Sequence, residues 1–239
     1  MNKDHIVVAT LTWVRDAQEE QLMREAMQHL AELDVPVYIT DGGSGKEFIE
    51  YLSGFPKFSV FKANEAGVWP QVRQSLQAMD ESVRFVLYTE PDKAEFFRSS
   101  LKEFILEAPD SDQVGVVLAS RSQDAFATFP AFQQHTETTI NRCCAEVISR
   151  LFDYTYGPFL FNRKLIPYLS SLEKEIGWGW RPFLFCLAHR LGYSVESLAQ
   201  EVPCPVDQRE DDPKERIYRM RQLTQNIQGI VLATTVPVE

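Results

Sequence analysis

From His5 to Ala119 the chain alternates short apolar, β-branched runs with longer runs of helical periodicity, and the polar clusters between them fall just after the apolar runs. His5 to Trp13, Val35 to Thr40, Phe58 to Lys62, Val83 to Tyr88 and Val114 to Ala119 read as strands, the first of them buried by its length and composition. Asp16 to Leu33 carries Leu22, Ala26, His29, Leu30 and Leu33 at helical spacing. Asp16 is placed to cap this helix, with Glu19 as a capping-box partner. Lys46 to Leu52, Trp69 to Met79 and Ala94 to Glu107 read as further helices, the second with Pro70 in its first turn, where a missing N–H costs nothing. This order predicts an α/β fold with a mostly parallel central sheet covered by helices on both faces. Ligands of such sheets sit outside the carboxyl ends of the strands. The clusters Asp41-Gly42-Gly43-Ser44-Gly45 and Thr89-Glu90-Pro91-Asp92-Lys93 stand at two such ends.

Beyond residue 125 the pattern changes. A helix is expected over Gln133 to Phe152, then the aromatic-rich DYTYGPFLFNR (Asp153 to Arg163), then a short helix from Lys164 to Glu175. Next come IGWGW (Ile176 to Trp180), a helix over Arg181 to Leu191, a strand over Tyr193 to Leu198, and a closing helix over Glu215 to Leu232. No linker composition separates the parts. The expectation is one domain over 1–239, with a nucleotide-binding half to about residue 125 and an acceptor-side half after it.

A formal net charge of -10 argues against nucleic acid or an anionic membrane as general partners. No apolar run reaches the ~18 residues of a transmembrane helix, and the N-terminus lacks a signal-peptide pattern. Cys143, Cys144, Cys186 and Cys204 show no metal-binding spacing. These features together predict a soluble, cytoplasmic protein with reduced thiols.

Two carboxylates one residue apart, Glu90 and Asp92, suit a hard cation such as Mg²⁺. By spacing alone the same residues also read as a turn with Asp92 capping the next helix. The glycines after Asp41 permit close backbone approach to a ligand, although a plain strand-to-helix turn has the same composition. No GxxxxGK[ST] loop is present, and no GxGxxG follows the first strand.

Five pieces in order resemble the family 2-like glycosyltransferases of GT-A fold, especially dolichol-phosphate-mannose-synthase-like members. They are Asp41 to Gly45; Asn64 and Gly67 with Arg73 and Ala78; FVLYTEPD (Phe85 to Asp92); VVLASR (Val116 to Arg121); and DYTYGPFLFNR. The resemblance spans about residues 5 to 200. It implies a GT-A (Rossmann-like) fold, a nucleoside-diphosphate-sugar donor and a Mg²⁺ or Mn²⁺ ion. It places Thr10, Thr12 and Asp41 near the base, Arg73 and Arg121 near the donor, and Asp92 with Glu90 at the metal or ribose. The IGWGW segment is similar to the acceptor loop of galactosyltransferase-like enzymes, which points to Trp178, Trp180 and Arg181 on the acceptor side. Trp178, Trp180, Tyr154 and Tyr156 suit a platform on which sugar rings stack, and the same aromatics read equally as an ordinary core or interface cluster.

The chain departs from the pattern in three places. Glu90 stands where Asp is usual, Pro158 interrupts a Gly–Phe pair, and Trp180 and Arg181 replace the acid of the acceptor loop. Asp153 and Glu175 remain as candidate catalytic bases, and Asp153 reads equally as a structural residue. The acceptor is not specified; a soluble or surface acceptor is expected, since a polyprenyl phosphate would require peripheral membrane contact. Two rivals follow. A catalytically silent GT-A-like module would bind a nucleotide or protein without transfer, and a sugar-nucleotidyltransferase is disfavoured because ATLTWVRD (Ala9 to Asp16) holds no glycine.

Overall fold

The computed structural model describes residues 1–80, 83–209 and 211–238, which form two compact units, Met1–Asp110 with Pro158–Ile166, and Ser111–Gly157 with Pro167–Glu239. In chain order the elements are β1 (Ile6–Thr12), α1 (Ala17–Ala31), β2 (Val37–Asp41), α2 (Lys46–Ser53), β3 (Phe58–Lys62) and α3 (Val68–Gln77). There follow β4 (Phe85–Tyr88), α4 (Ala94–Ser99), α5 (Leu101–Glu107), β5 (Val114–Arg121), α6 (Gln123–Ala127) and α7 (Ala131–Ile148). The chain closes with β6 (Phe159–Asn162), α8 (Ile166–Leu169), α9 (Trp180–Arg190), β7 (Ser194–Gln200) and α10 (Pro213–Thr235).

In the first unit the strands lie in the order β3-β2-β1-β4-β6. β1 pairs in parallel with β2 and with β4, β2 pairs in parallel with β3, and β6 runs antiparallel to β4. β1 and β4 are buried almost residue by residue rather than alternately, as central strands covered on both faces must be. The expected α/β architecture with a mostly parallel sheet is therefore present. The chain steps outward from β1 through β2 to β3, then returns to the other side of β1 for β4. That reversal is the topological switch point, and the register Thr12↔Asp41 and Ala9↔Tyr88 brings the ends of β2, β1 and β4 to one edge. Asp16 caps α1 through the N–H groups of Gln18 and Glu19. Glu19 departs from the expected box and accepts instead from the Arg15 N–H at 2.9 Å.

In the second unit β5 and β7 pair in parallel, and α7, α9 and α10 pack together. α7 ends at Ser149, a non-glycine residue held at φ 61°. α10 begins with Asp212 accepting the Glu215 N–H and with Pro213 at its start.

Two expected helices are corrected. Ala94 to Glu107 is two helices broken at Ser100, where φ −124° and ψ −24° leave the helical range. Lys164 to Glu175 breaks into a 3₁₀ turn at Arg163–Leu165, the single turn α8 and the start of a second 3₁₀ segment at Lys174–Gly179, because so short a run gains too few hydrogen bonds to propagate. The Gln133 to Phe152 helix stops at Ile148. No helix among the described residues is long and apolar enough to cross a membrane.

Candidate functional site

At the carboxyl edge of the first unit, Asp41 organises the loop that follows β2. Its Oδ1 accepts from the N–H groups of Gly43 (2.8 Å) and Ser44 (2.7 Å), and its Oδ2 accepts from the hydroxyls of Thr12 (2.8 Å) and Ser44 (2.5 Å). Four donors occupy the roughly four acceptor positions of a carboxylate. Asp41 is therefore the hub of a preformed turn, with Gly43 at φ 126°, where a side chain would be strained. Ser44 Oγ also accepts from the Val14 N–H at 2.8 Å, tying the end of β1 to the same loop. The Gln71 amide completes the support: oriented to satisfy both ends, its oxygen accepts from Gly42 N–H at 2.8 Å and its nitrogen donates to the Gly67 carbonyl. A Cβ on Gly42 would collide with Gln71 and press on Trp13.

At the switch point, Thr10 Oγ1 donates to the Thr89 carbonyl at 2.8 Å, linking β1 to the residue just before the acidic pair. Ser75 on α3 donates to the Thr10 carbonyl and shares a hydrogen bond with Thr40. Trp13, directly after β1, is 53% exposed, with the Arg15 guanidinium 5.7 Å from its ring. Glu90 and Asp92 follow β4 in a turn, and the Lys93 ammonium lies 3.4 Å from a carboxylate oxygen of each. Arg73 on α3 pairs with the exposed Glu65 at 3.3 Å.

In the second unit Arg121, at the end of β5, is enclosed. Its guanidinium donates to Asp153 (2.7 and 3.0 Å), Glu137 (2.6 Å) and Thr155 (3.0 Å), and it lies over the rings of Phe126 and Phe129. Burial works against the charge of both partners, but their mutual attraction outweighs it. Asp153 is held down to about 2, and Arg121 is held still more firmly protonated by Glu137 and Asp153. Trp178 is half-buried: its indole N–H donates to Tyr218 Oη at 3.2 Å, and the Arg181 guanidinium lies 4.9 Å from its ring. Gly177, at φ 49° and ψ −122°, turns this segment, and Gln225 on α10 accepts from the Trp178 N–H.

No protein-family model matches the chain, and no curated protein matches it significantly. Solved structures do match. Glucosyl-3-phosphoglycerate synthase from Mycobacterium tuberculosis, crystallised with uridine diphosphate, is similar at a TM-score of 0.69 and 14% identity, over 98% of this chain and 81% of that one. The same enzyme with Mn²⁺, uridine diphosphate and glucosyl-3-phosphoglycerate gives 0.63 at 16% identity, over 97% and 80%. Its complex with Mn²⁺, UDP-glucose and glycerol 3-phosphate gives 0.64 at 16%, over 98% and 81%. The fold is GT-A.

Within the GT-A fold several of the expected residues come together at the carboxyl edge of the first unit. Thr12 and Asp41 touch, Thr10 and Glu90 flank the switch point, and Glu90 and Asp92 converge on one cationic group. Thr10 and Thr12 are fully buried, so their hydroxyls brace the edge from beneath. Three expectations need correction. Arg121 has its donors turned inward to Asp153, Glu137 and Thr155, which removes it from donor contact. Asp153 accepts six hydrogen bonds and is too weak a base for proton abstraction near neutral pH. Trp180 is fully buried on α9 and Tyr154 is buried with its hydroxyl on the Arg150 carbonyl, so neither offers a face to an acceptor. Arg181 is buried as well, beneath the half-buried Trp178, which leaves Trp178 and the exposed Glu175 as the expected acceptor-side residues that reach solvent. Glu210 lies outside the described residues, and Arg209 beside it donates to the Cys204 carbonyl.

Residue spacing did not single out Trp13, Gln71, Lys93 or Glu137. Lys93 was in plain view beside the acidic pair. Glu137 carried a signal in the stripe Gln133, Glu137 and Asn141, three polar residues one helical turn apart that are all buried on α7.

Proposed function

We propose that this chain is a glycosyltransferase that takes a nucleoside-diphosphate-sugar at the carboxyl edge of its first unit and uses a Mg²⁺ or Mn²⁺ ion held by Glu90 and Asp92. The observation that carries this reading is the convergence of both carboxylates on one cation, the Lys93 ammonium, at the end of β4 and beside the switch point. Two hard oxygen donors aimed at one position suit a magnesium-type ion, which takes one or two carboxylates and completes its shell with water and phosphate. Further support comes from the fold likeness to a synthase crystallised with UDP and with Mn²⁺.

When bound, such an ion neutralises charge developing on the departing diphosphate. The chain's own residues supply the rest. Thr12 and Ser44 lock the Asp41 carboxylate, which fixes the Asp41 to Gly45 loop before any ligand arrives. Trp13 offers an exposed aromatic face at the end of β1, fit to stack on a base. Arg73 lends positive charge from α3. In the second unit Trp178, half-buried over the guanidinium of the buried Arg181, offers an aromatic surface, with Glu175 as the exposed carboxylate for proton transfer.

A direct test is to incubate the protein with UDP-, GDP- and dTDP-sugars and Mn²⁺, alone and with phosphoglycerate, glycerol 3-phosphate or simple sugars, and to measure nucleoside diphosphate release. Release with one donor, stimulated by an acceptor, is the expected result. The rival, a nucleotide-binding module without transfer, draws on the ion pairing of Glu90 and Asp92 with Lys93. Nucleotide binding without release under any of these conditions would favour it.

A further inference from the structure

The cation that brings Glu90 and Asp92 together belongs to the chain itself. Lys93 Nζ lies 3.4 Å from Glu90 Oε2 and 3.4 Å from both oxygens of Asp92. The Lys93 backbone is fixed at the start of α4, where its carbonyl accepts the Phe97 N–H at 3.0 Å, so its freedom lies in the four-carbon side chain. Glu90 and Lys93 are both largely shielded from solvent, at 11% and 18% side-chain exposure, while Asp92 is more open at 36%. Charges so placed are only partly screened by water.

We propose that Lys93 is the resident counter-ion of Glu90 and Asp92 and competes with the divalent cation for them, so that the metal enters as the ammonium swings away. This rests on the metal-binding reading above and adds a residue that sets affinity. A divalent ion approaches carboxylate oxygens to about 2.0–2.2 Å, far inside the 3.4 Å at which the ammonium now sits. The two cations cannot share these oxygens without strong repulsion. A displaced ammonium on a flexible stem needs an anion, and a diphosphate arriving at the same edge supplies one. Metal and nucleotide therefore favour each other's binding, and the coupling runs in both directions.

The test measures Mn²⁺ binding by electron paramagnetic resonance on the whole chain, wild type, Lys93→Met, Lys93→Gln and Lys93→Arg, each with and without UDP. Lys93→Met and Lys93→Gln are expected to bind Mn²⁺ at least tenfold more tightly than wild type in the absence of UDP. Lys93→Arg, which keeps the charge, stays near wild type. UDP should tighten Mn²⁺ binding in wild type by a larger factor than in Lys93→Met. Equal or weaker Mn²⁺ binding in both neutral variants would overturn the counter-ion role, and a melting-temperature rise with UDP in the same samples would leave the nucleotide site standing. Tighter Mn²⁺ binding with no response to UDP in any variant would uphold the counter-ion and remove the donor reading instead.

Discussion

Gly179 and Gly229 meet backbone to backbone: a Cβ on either would run into main-chain atoms of the other's segment, Gly229 against the Gly179 carbonyl and Gly179 against the Gln225 carbonyl. This contact seats α10 on the segment that carries Trp178, and the Gln225 and Tyr218 side chains fasten the tryptophan from the same helix. A helix packed this closely leaves no flexible side chain to give way.

Gly229→Ala should therefore destabilise the protein by about 1–3 kcal/mol through overpacking. For a chain of this size that corresponds to a fall of roughly 2–12 °C in melting temperature. Gly45→Ala, where a Cβ meets nothing within 4 Å, should stay within about 0.5 kcal/mol of wild type. Thermal unfolding of the two variants side by side makes the comparison.

The buried Arg121–Asp153 pair gives stability a defined acid limb. Asp153 titrates at about 2 in the folded chain against an ordinary value of 3.8, so the folded state prefers the ionised carboxylate. Its contribution, about 2 kcal/mol, is complete above pH 4 and is lost as pH falls from about 4 towards 2. Asp153→Asn should cost about 3 kcal/mol near neutral pH, because Arg121 is left short of one buried partner, and should flatten the stability profile between pH 4 and 2. Denaturant unfolding across that range reads both effects.

Asp41→Ala removes the acceptor for two backbone N–H groups and two hydroxyls at once. A cost of about 3 kcal/mol is expected, together with faster amide exchange at Gly43 and Ser44. Ser44→Ala removes two of the loop's hydrogen bonds, its hydroxyl's bond to Asp41 and the bond it accepts from Val14, and should cost about 1–2 kcal/mol. Hydrogen exchange resolved at the loop separates local loosening from global unfolding.

How much of this was legible depended on how far each residue's partners lie along the chain. β1 and β4 announced themselves because central parallel strands are apolar almost throughout, and the Asp41 loop and the acidic pair stood at strand ends. The resemblance placed Arg121 near the donor, and nothing local corrected it, since Glu137 and Asp153, which enclose it, lie 16 and 32 positions downstream. Trp178 and Trp180 looked equivalent two residues apart. The Gly177 turn and the start of α9 at Trp180 send them into different surroundings, one half-buried against Tyr218 and one fully buried. The break at Ser100 had no glycine or proline to mark it.

The most direct measurement of the central claim is a thermal-shift series with UDP, UDP-glucose, GDP- and dTDP-sugars, with and without Mn²⁺, on wild type and Asp92→Ala. A ligand bound at a hundred times its dissociation constant stabilises the folded state by about 2.7 kcal/mol, a shift of several degrees. The account predicts a rise in melting temperature with one nucleotide class, larger with Mn²⁺ and lost in Asp92→Ala. No rise with any donor at millimolar concentration, or a rise that Asp92→Ala leaves intact with its Mn²⁺ dependence, would contradict it.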